Sequence, residues 1–512
     1  MPSLIYDQDP KNPNGRALLS PPTFPPTLSQ AVEYTKMNRQ QFDQTDSPHQ
    51  LYSSFPGTEP IPLPPRFSNL KRELVAGYES EVTASWHRLL DELRAEIASI
   101  AESSQHIIPT IDFSEIDSTP KVSEFAADVR TRGVAIIRNV VPQSKANQWN
   151  RETCEYLRIN PQTKGFPARN PQLFELYWSP AQVKARADPR VLRAQRFAMS
   201  VWHNGRNPNQ AMVDPSRPVA YADRLRMRVP GDTSLYLRSH MDNGSIERWE
   251  RDGYGRSGTY TKIWEGKLHE YDPWDASTRL GVSSDLYNGA GSCSVFRMFQ
   301  GTLALSHTSP GEGTLLACPM LRLSTAYVLL RPLFAPVDHF IAGNMEDFLD
   351  KRNWTLAPQR DTVIHGALPG YTQEISAVLH PHLRLNESMV SIPTTKPGDY
   401  IIWHPDVVHA VDPVHSGKLD SSVLYVPCCP LTPTNALFLA RQRKAFLLGQ
   451  PAPDFEGGRG ERDHVDRPGV QDVSDTGGED GLRALGLMPF EGEGDLMRLC
   501  NAILFPGQFD MI

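Results

Sequence analysis

Apolar residues recur every three or four positions between 71 and 101: Leu74, Tyr78, Val82, Trp86, Leu90, Leu93, Ile97 and Ile100. With no proline in the run, that period predicts one long amphipathic helix with a single buried stripe. A second helix is predicted over 121–131, closed by Gly133. The run VAIIR (134–138) reads as a strand. Pro142 then opens a further helix that turns Trp149 and Leu157 inward.

From about 219 the pattern changes. Short β-rich runs alternate with turn residues: 224–229, 234–240, 294–299, 302–307, 313–319, 388–393, 400–404, 407–411 and 422–427. Gly231-Asp232, Pro310-Gly311 and Pro397-Gly398-Asp399 punctuate them. Many short antiparallel strands so punctuated predict a sandwich or jelly roll. Two long interruptions, 244–290 and 335–387, are expected to cover its mouth.

Thr434 is placed to cap a helix running to about 448, and a terminal helix is expected near 494–504. Between them, 449–480 is rich in Gly, Asp and Pro and is expected to be mobile. At the other end, thirteen of the 45 prolines fall in residues 1–67, which excludes regular helix or sheet there. The predicted division is therefore a poorly ordered proline-rich arm (1–67), a mainly helical region packing on the core (68–218), a β core (219–430) and C-terminal helices around a mobile 449–480 linker (431–512).

Composition narrows the function classes. Of 512 residues, 39% are hydrophobic and 22% charged, which suits a globular chain. Lys and Arg number 52 against 59 Asp and Glu, a net −7 that suggests no nucleic-acid or anionic-membrane partner. No apolar run approaches the roughly 18 residues of a membrane span, and the N-terminus lacks a secretory pattern. The six cysteines form no C-x-x-C pair, so reduced thiols in a cytoplasmic protein are expected.

The sharpest chemical signal is Arg238-Ser-His240-Met-Asp242-Asn-Gly244. In a strand, residues i and i+2 share a face, so His240 and Asp242 can aim an imidazole and a carboxylate at one point. Gly244 then lets the chain turn away. One more histidine would complete a two-histidine, one-carboxylate facial set with open coordination positions. His409, flanked by Val407 and Val411, is the first choice; His404, at a strand end before Pro405, ranks second. The aromatic residues Trp249, Trp264, Tyr271 and Trp274 either roof the pocket or anchor loops in the core. There is no phosphate loop, no G-x-S-x-G and no dinucleotide fingerprint.

The chain resembles the domain-of-unknown-function 1479 family, within the superfamily of Fe(II)/2-oxoglutarate-dependent oxygenases. The resemblance lies in IPTIDFSEI (108–116), RTRGVAIIRNVV (130–141), GFPARNPQLFELYWSPAQVKAR (165–186), YADRLRMRVPGD (221–232), HMDNGSIERW (240–249), FRMFQGTLALSHTSPGEGTLLACPML (296–321) and PGDYIIWHPDVVHAV (397–411). The 301–319 and 397–411 stretches are also similar to phytanoyl-CoA-dioxygenase-like enzymes.

The resemblance implies an α+β chain with a double-stranded β-helix (jelly-roll) core. It implies Fe(II) held by His240, Asp242 and His409, with 2-oxoglutarate as co-substrate. O₂ and a small-molecule substrate would then give an oxidised, most simply hydroxylated, product with succinate and CO₂. Such enzymes hold the remote carboxylate of 2-oxoglutarate with an arginine a short way past the second histidine. Here no arginine follows His409 until Arg441. Lys418, in that interval, and Arg297, on a central strand, are the candidate anchors. The alternatives are a cupin-like metal enzyme that does not use 2-oxoglutarate, and a non-catalytic jelly-roll binding protein.

Overall fold

Gly77, at φ 83°, divides the first predicted helix into Arg66–Leu74 and Glu79–Ser103. The computed structural model describes residues 60–205, 212–289, 292–338, 344–455 and 458–508. Most of the proline-rich arm therefore lies outside the described residues. On the longer helix the expected stripe is buried from Val82 to Ile100, whereas Tyr78 is exposed. Trp86 stacks on Phe334 with ring centroids 4.3 Å apart. Burying a large apolar side chain of this kind contributes roughly 1.5–3 kcal/mol.

The helix Thr119–Arg132 ends as expected at Gly133, whose φ is 74° and whose N–H bonds the Val129 carbonyl. A Cβ at Gly133 would lie 2.7 Å from a Val407 methyl carbon. The turn is thus glycine both for its backbone and to admit the segment that leads to His409.

The architecture is mixed α/β, with helices around several sheets. The larger sheet has eight strands, in the spatial order Thr110–Asp112, Val134–Arg138, Tyr400–Trp403, Gln300–Ala304, Ser421–Tyr425, Leu225–Arg228, Leu173–Phe174 and Gly165–Phe166. Only the first pair is parallel. Four of these strands precede residue 219, so the sheet runs across the expected boundary between helical region and β core. The five-stranded sheet is antiparallel, in the order Gln373–Glu374, His240–Met241, His409–Val411, Leu315–Ala317 and Val390–Ser391.

Two expected strands take another form. In 234–240 only His240 is in a strand. The Asp232 side chain accepts from the N–H groups of Ser234 (2.9 Å) and Leu235 (3.3 Å), curling the backbone into a turn. In 294–299 there is only an isolated bridge from Phe299 to Cys428. Its backbone groups go elsewhere: Asn435 brackets Phe296 with two bonds of 2.9 Å, and Asp454 accepts from Ser294 N–H.

Within the expected β core, Leu321–Leu330 is a helix. All of it but Arg322 and Leu323 is buried, Ser324 and Thr325 included, so its sequence carries no clear amphipathic period. At the C-terminal end, Thr432 rather than Thr434 caps Pro433–Leu448, accepting from Asn435 N–H at 3.0 Å. The 449–480 stretch contains the start of a helix, Val470–Ala484, packed on Pro180–Ala187. A Cβ at Gly477 would fall 2.0 Å from the Ala187 carbonyl oxygen. That glycine permits close packing, so 470–480 is helical and packed where composition alone suggests a loose stretch. Asp495–Leu504 forms the terminal helix and packs on Pro433–Leu448. Among the described residues, no helix is long and apolar enough to cross a membrane.

Candidate metal centre

His240 and His409 are directly paired across neighbouring strands of the five-stranded sheet. Direct antiparallel partners point to the same side, and the two rings stand 4.2 Å apart between centroids. Asp242, just past the strand end, turns its carboxylate to both. Its Oδ1 lies 3.8 Å from His240 Nε2 and its Oδ2 3.3 Å from His409 Nε2. Among the described residues this is the one cluster of three or more such groups, with ligand atoms all within 4.8 Å of one another.

The opposite ring nitrogens are occupied by backbone. His240 Nδ1 donates to the Arg238 carbonyl at 2.7 Å, and His409 Nδ1 to the Val407 carbonyl at 3.0 Å. A carbonyl can only accept, so Nδ1 carries the proton in the neutral ring and each Nε2 presents a lone pair. Burial opposes ionisation of Asp242, but His240, His409 and Arg297 together hold its carboxyl well below the usual range. In their neutral form the two imidazoles would offer Nε2 lone pairs that converge with one carboxylate, as a divalent metal requires. The donor set fits Fe(II).

The loop that carries Asp242 is fixed from behind. Asn243 and Gly244 adopt φ of 61° and 98°. Buried Arg248 donates to the carbonyls of Asp242 and Gly244 and, at 3.2 Å, to Gln373 Oε1. Tyr254 OH donates to the Asn243 carbonyl at 2.5 Å. Glu247 accepts from Ser245 N–H at 2.6 Å, and burial pushes its carboxyl up to about 8.

The cluster opens into a pocket of about 150 Å³. One wall is a face of the five-stranded sheet, with Glu374, His240, His409, Leu315 and Val411. The other is a face of the eight-stranded sheet, with Trp403, Gln300, Thr302, Tyr425 and Arg226. Tyr221, Cys293 and Phe455 also line it. Trp249, Trp264, Tyr271 and Trp274 do not; they are buried core, and the 244–290 segment supports the metal loop from outside rather than roofing it with these rings.

His404, the second-ranked ligand, is packed away from the cluster. Its ring stacks on Trp202 at 4.8 Å, Nε2 meets the Pro273 carbonyl at 3.1 Å, and Nδ1 accepts from Asp406 N–H at 3.0 Å. Burial, with Arg279 nearby, pulls it down to about 3 and keeps it neutral. Lys418 is exposed on the loop between His409–Val411 and Ser421–Tyr425 and does not line the pocket. Arg297 does line it, buried, with Nη2 donating to Asn243 Oδ1 and the cation 5.9 Å from the Tyr221 ring. Sequence reasoning missed Arg224, Arg226, Glu374 and Phe455. The signal for the arginines was present in RLRMR, where 224, 226 and 228 share one face of a strand.

The family model for Gig2-like proteins matches residues 61–487. The chain belongs to the Gig2-like family. A solved relative of this Gig2-like chain is GlcNAc Inducible Gene 2, GIG2 (DUF1479), from Candida albicans. It is 30% identical with a TM-score of 0.77, covering 88% of this chain and 97% of that one. The uncharacterized protein YbiU of Escherichia coli (strain K12) is 31% identical over 389 residues, 73% of this chain and 86% of that protein. A Salmonella typhimurium LT2 protein, provisionally designated an oxidoreductase, is 29% identical with a TM-score of 0.68, covering 84% and 100% of the two chains. The family expected from the sequence motifs is therefore the family found.

Proposed function

We propose that this Gig2-like protein is a non-haem Fe(II)/2-oxoglutarate-dependent oxygenase acting on a small-molecule substrate, most simply by hydroxylation. The observation that carries the reading is the convergence of His240 Nε2, His409 Nε2 and the Asp242 carboxylate in a pocket between the two sheets. A facial set of this type leaves coordination positions for a co-substrate and O₂. The two sheets that wall the pocket fit a jelly-roll core. The oxidoreductase designation of the Salmonella relative points the same way.

In this reading His240, Asp242 and His409 hold the iron, which supplies the oxidising chemistry with 2-oxoglutarate and O₂ when bound. The protein's own residues orient and shield. The Arg238 and Val407 carbonyls fix the two imidazoles. Arg248 fixes the Asp242 loop. Trp403, Leu315 and Val411 give the pocket apolar surface that excludes water. A pocket cation meets the remote carboxylate of the co-substrate.

The test is spectroscopic. Protein loaded anaerobically with Fe(II) is titrated with 2-oxoglutarate, and the weak visible charge-transfer band of the chelate should appear and saturate. Iron binding without the band would favour a cupin-like metal enzyme that uses no 2-oxoglutarate. Failure to bind iron at all would favour a non-catalytic binding protein.

A further inference from the structure

Several charges line the pocket without belonging to the metal centre, and Arg226 stands out among them. Arg226 sits on the strand Leu225–Arg228 and pairs directly with Val423. Val423 in turn pairs with Ala304, and Tyr425 with Thr302. Arg226 therefore shares a face with Thr302 and Tyr425, and all three line the pocket. Arg226 is only 6% exposed, and its Nε is buried with no acceptor.

Its arginine neighbours are matched. Arg228, two residues on, gives Nε to Asp232 at 2.8 Å, Nη1 to the Asp412 carbonyl at 2.8 Å and Nη2 to the Asp232 carbonyl at 3.0 Å. Arg224 lies 3.3 Å from Asp223, and Arg238 lies 3.3 Å from Glu374. Arg297 is engaged by Asn243. A buried cation without a counter-charge is strongly unfavourable, of the order of several kcal/mol. A planar fork of N–H donors facing a pocket is suited to a carboxylate.

We propose that Arg226 receives the remote carboxylate of a dicarboxylate whose other end lies at the His240–Asp242–His409 centre. This rests on the reading that the co-substrate is 2-oxoglutarate, and it names the residue that selects it. The strand after His409 carries Val423 at this level, and the cation comes instead from the strand hydrogen-bonded beside it. The lack of any arginine between His409 and Arg441 then reflects a change of strand, with the anchoring charge kept in the pocket.

The test uses full-length protein loaded anaerobically with Fe(II) and two probes measured by calorimetry. One is 2-oxoglutarate. The other is 2-oxovalerate, which has the same five-carbon 2-oxo acid skeleton with a methyl group in place of the remote carboxylate. The parent should prefer 2-oxoglutarate by about tenfold or more, as a charged hydrogen bond implies. Arg226→Met should erase that preference by weakening 2-oxoglutarate alone, with iron and 2-oxovalerate affinities unchanged. Arg226→Lys should retain part of it, and Lys418→Met, on an exposed loop away from the pocket lining, should keep it. Retained iron binding certifies that each variant is folded. A parent that prefers 2-oxoglutarate together with an Arg226→Met variant that still does would overturn the assignment of Arg226 alone. An iron-loaded parent with no preference, or no binding of 2-oxoglutarate, would overturn the co-substrate reading and this proposal with it.

Discussion

His240 and His409 face one another as paired residues of adjacent strands, and each gives its Nδ1 proton to the backbone carbonyl two residues before it: Arg238 for one, Val407 for the other. The same local device therefore sets both tautomers. Both acceptors are main-chain carbonyls, so backbone geometry helps aim the two Nε2 lone pairs.

Removing a ligand should separate metal binding from folding. Asp242→Ala and His409→Ala are each expected to lower Fe(II) affinity by more than the roughly 10–100-fold typical of losing a supporting residue. Tm without metal should change little, because Asp242 lies past a strand end and its loop is held by Arg248 and Tyr254. His404→Ala should behave inversely, lowering Tm by several degrees through the lost Trp202 stack while iron binding persists. Equilibrium dialysis beside a thermal melt reads both, and a metal-free but otherwise stable His404→Ala would mean that the late ligand is misassigned.

Arg248→Lys tests the support behind the centre. A lysine keeps the charge but cannot reach the Asp242 and Gly244 carbonyls together as the guanidinium fork does. Iron affinity should fall about 10–100-fold with the triad intact. Competition with a chelating dye measures it, and parent-like affinity would show that the loop does not depend on this residue.

Glu247 makes stability depend on pH in a definite direction. Burial raises its folded-state value to about 8, whereas the unfolded carboxyl titrates near 4.3. Between those values the folded state binds the extra proton, so its stability declines as pH rises from about 4.3 to about 8. Glu247→Gln keeps an acceptor for Ser245 N–H and removes the titration. Its Tm relative to the parent should therefore improve steadily from pH 5 to pH 8. A difference that stays flat over that range would show that Glu247 is ionised in the folded protein.

The C-terminal helix gives a packing test. Gly477→Ala places a carbon against the Ala187 carbonyl, which should loosen Val470–Ala484 from Pro180–Ala187. Limited proteolysis should leave 470–484 intact in the parent and cut it early in the variant. Early cutting in the parent would restore the view of this stretch as a mobile linker.

Much of the site could be read in the sequence, because H-x-D at a strand end and a histidine after a turn are local patterns with local geometry. The proposed anchor is less legible. Lys418 was suggested by its distance along the chain from His409, but the loop that carries it faces solvent. Arg226 precedes both histidines and reaches the pocket only through sheet pairing with Val423, a relationship that spacing does not encode. The missed helix Leu321–Leu330 is buried except at Arg322 and Leu323, so it offers no broad polar face for periodicity to detect. The strands expected at 234–239 and 294–299 have suitable residues, but Asp232, Asn435 and Asp454 side chains take up their backbone groups. The glycines of 470–484 suggest looseness by composition, whereas Gly477 serves close contact with Ala187.

The most direct measurement of the central claim is anomalous diffraction at the iron edge from crystals grown anaerobically with Fe(II) and 2-oxoglutarate. One strong peak is expected at coordination distance from His240 Nε2, His409 Nε2 and an Asp242 carboxylate oxygen, with the 2-oxo acid end of the co-substrate on the same atom. Iron bound at another set of side chains, or a His240–Asp242–His409 cluster that stays empty under saturating iron, would contradict it.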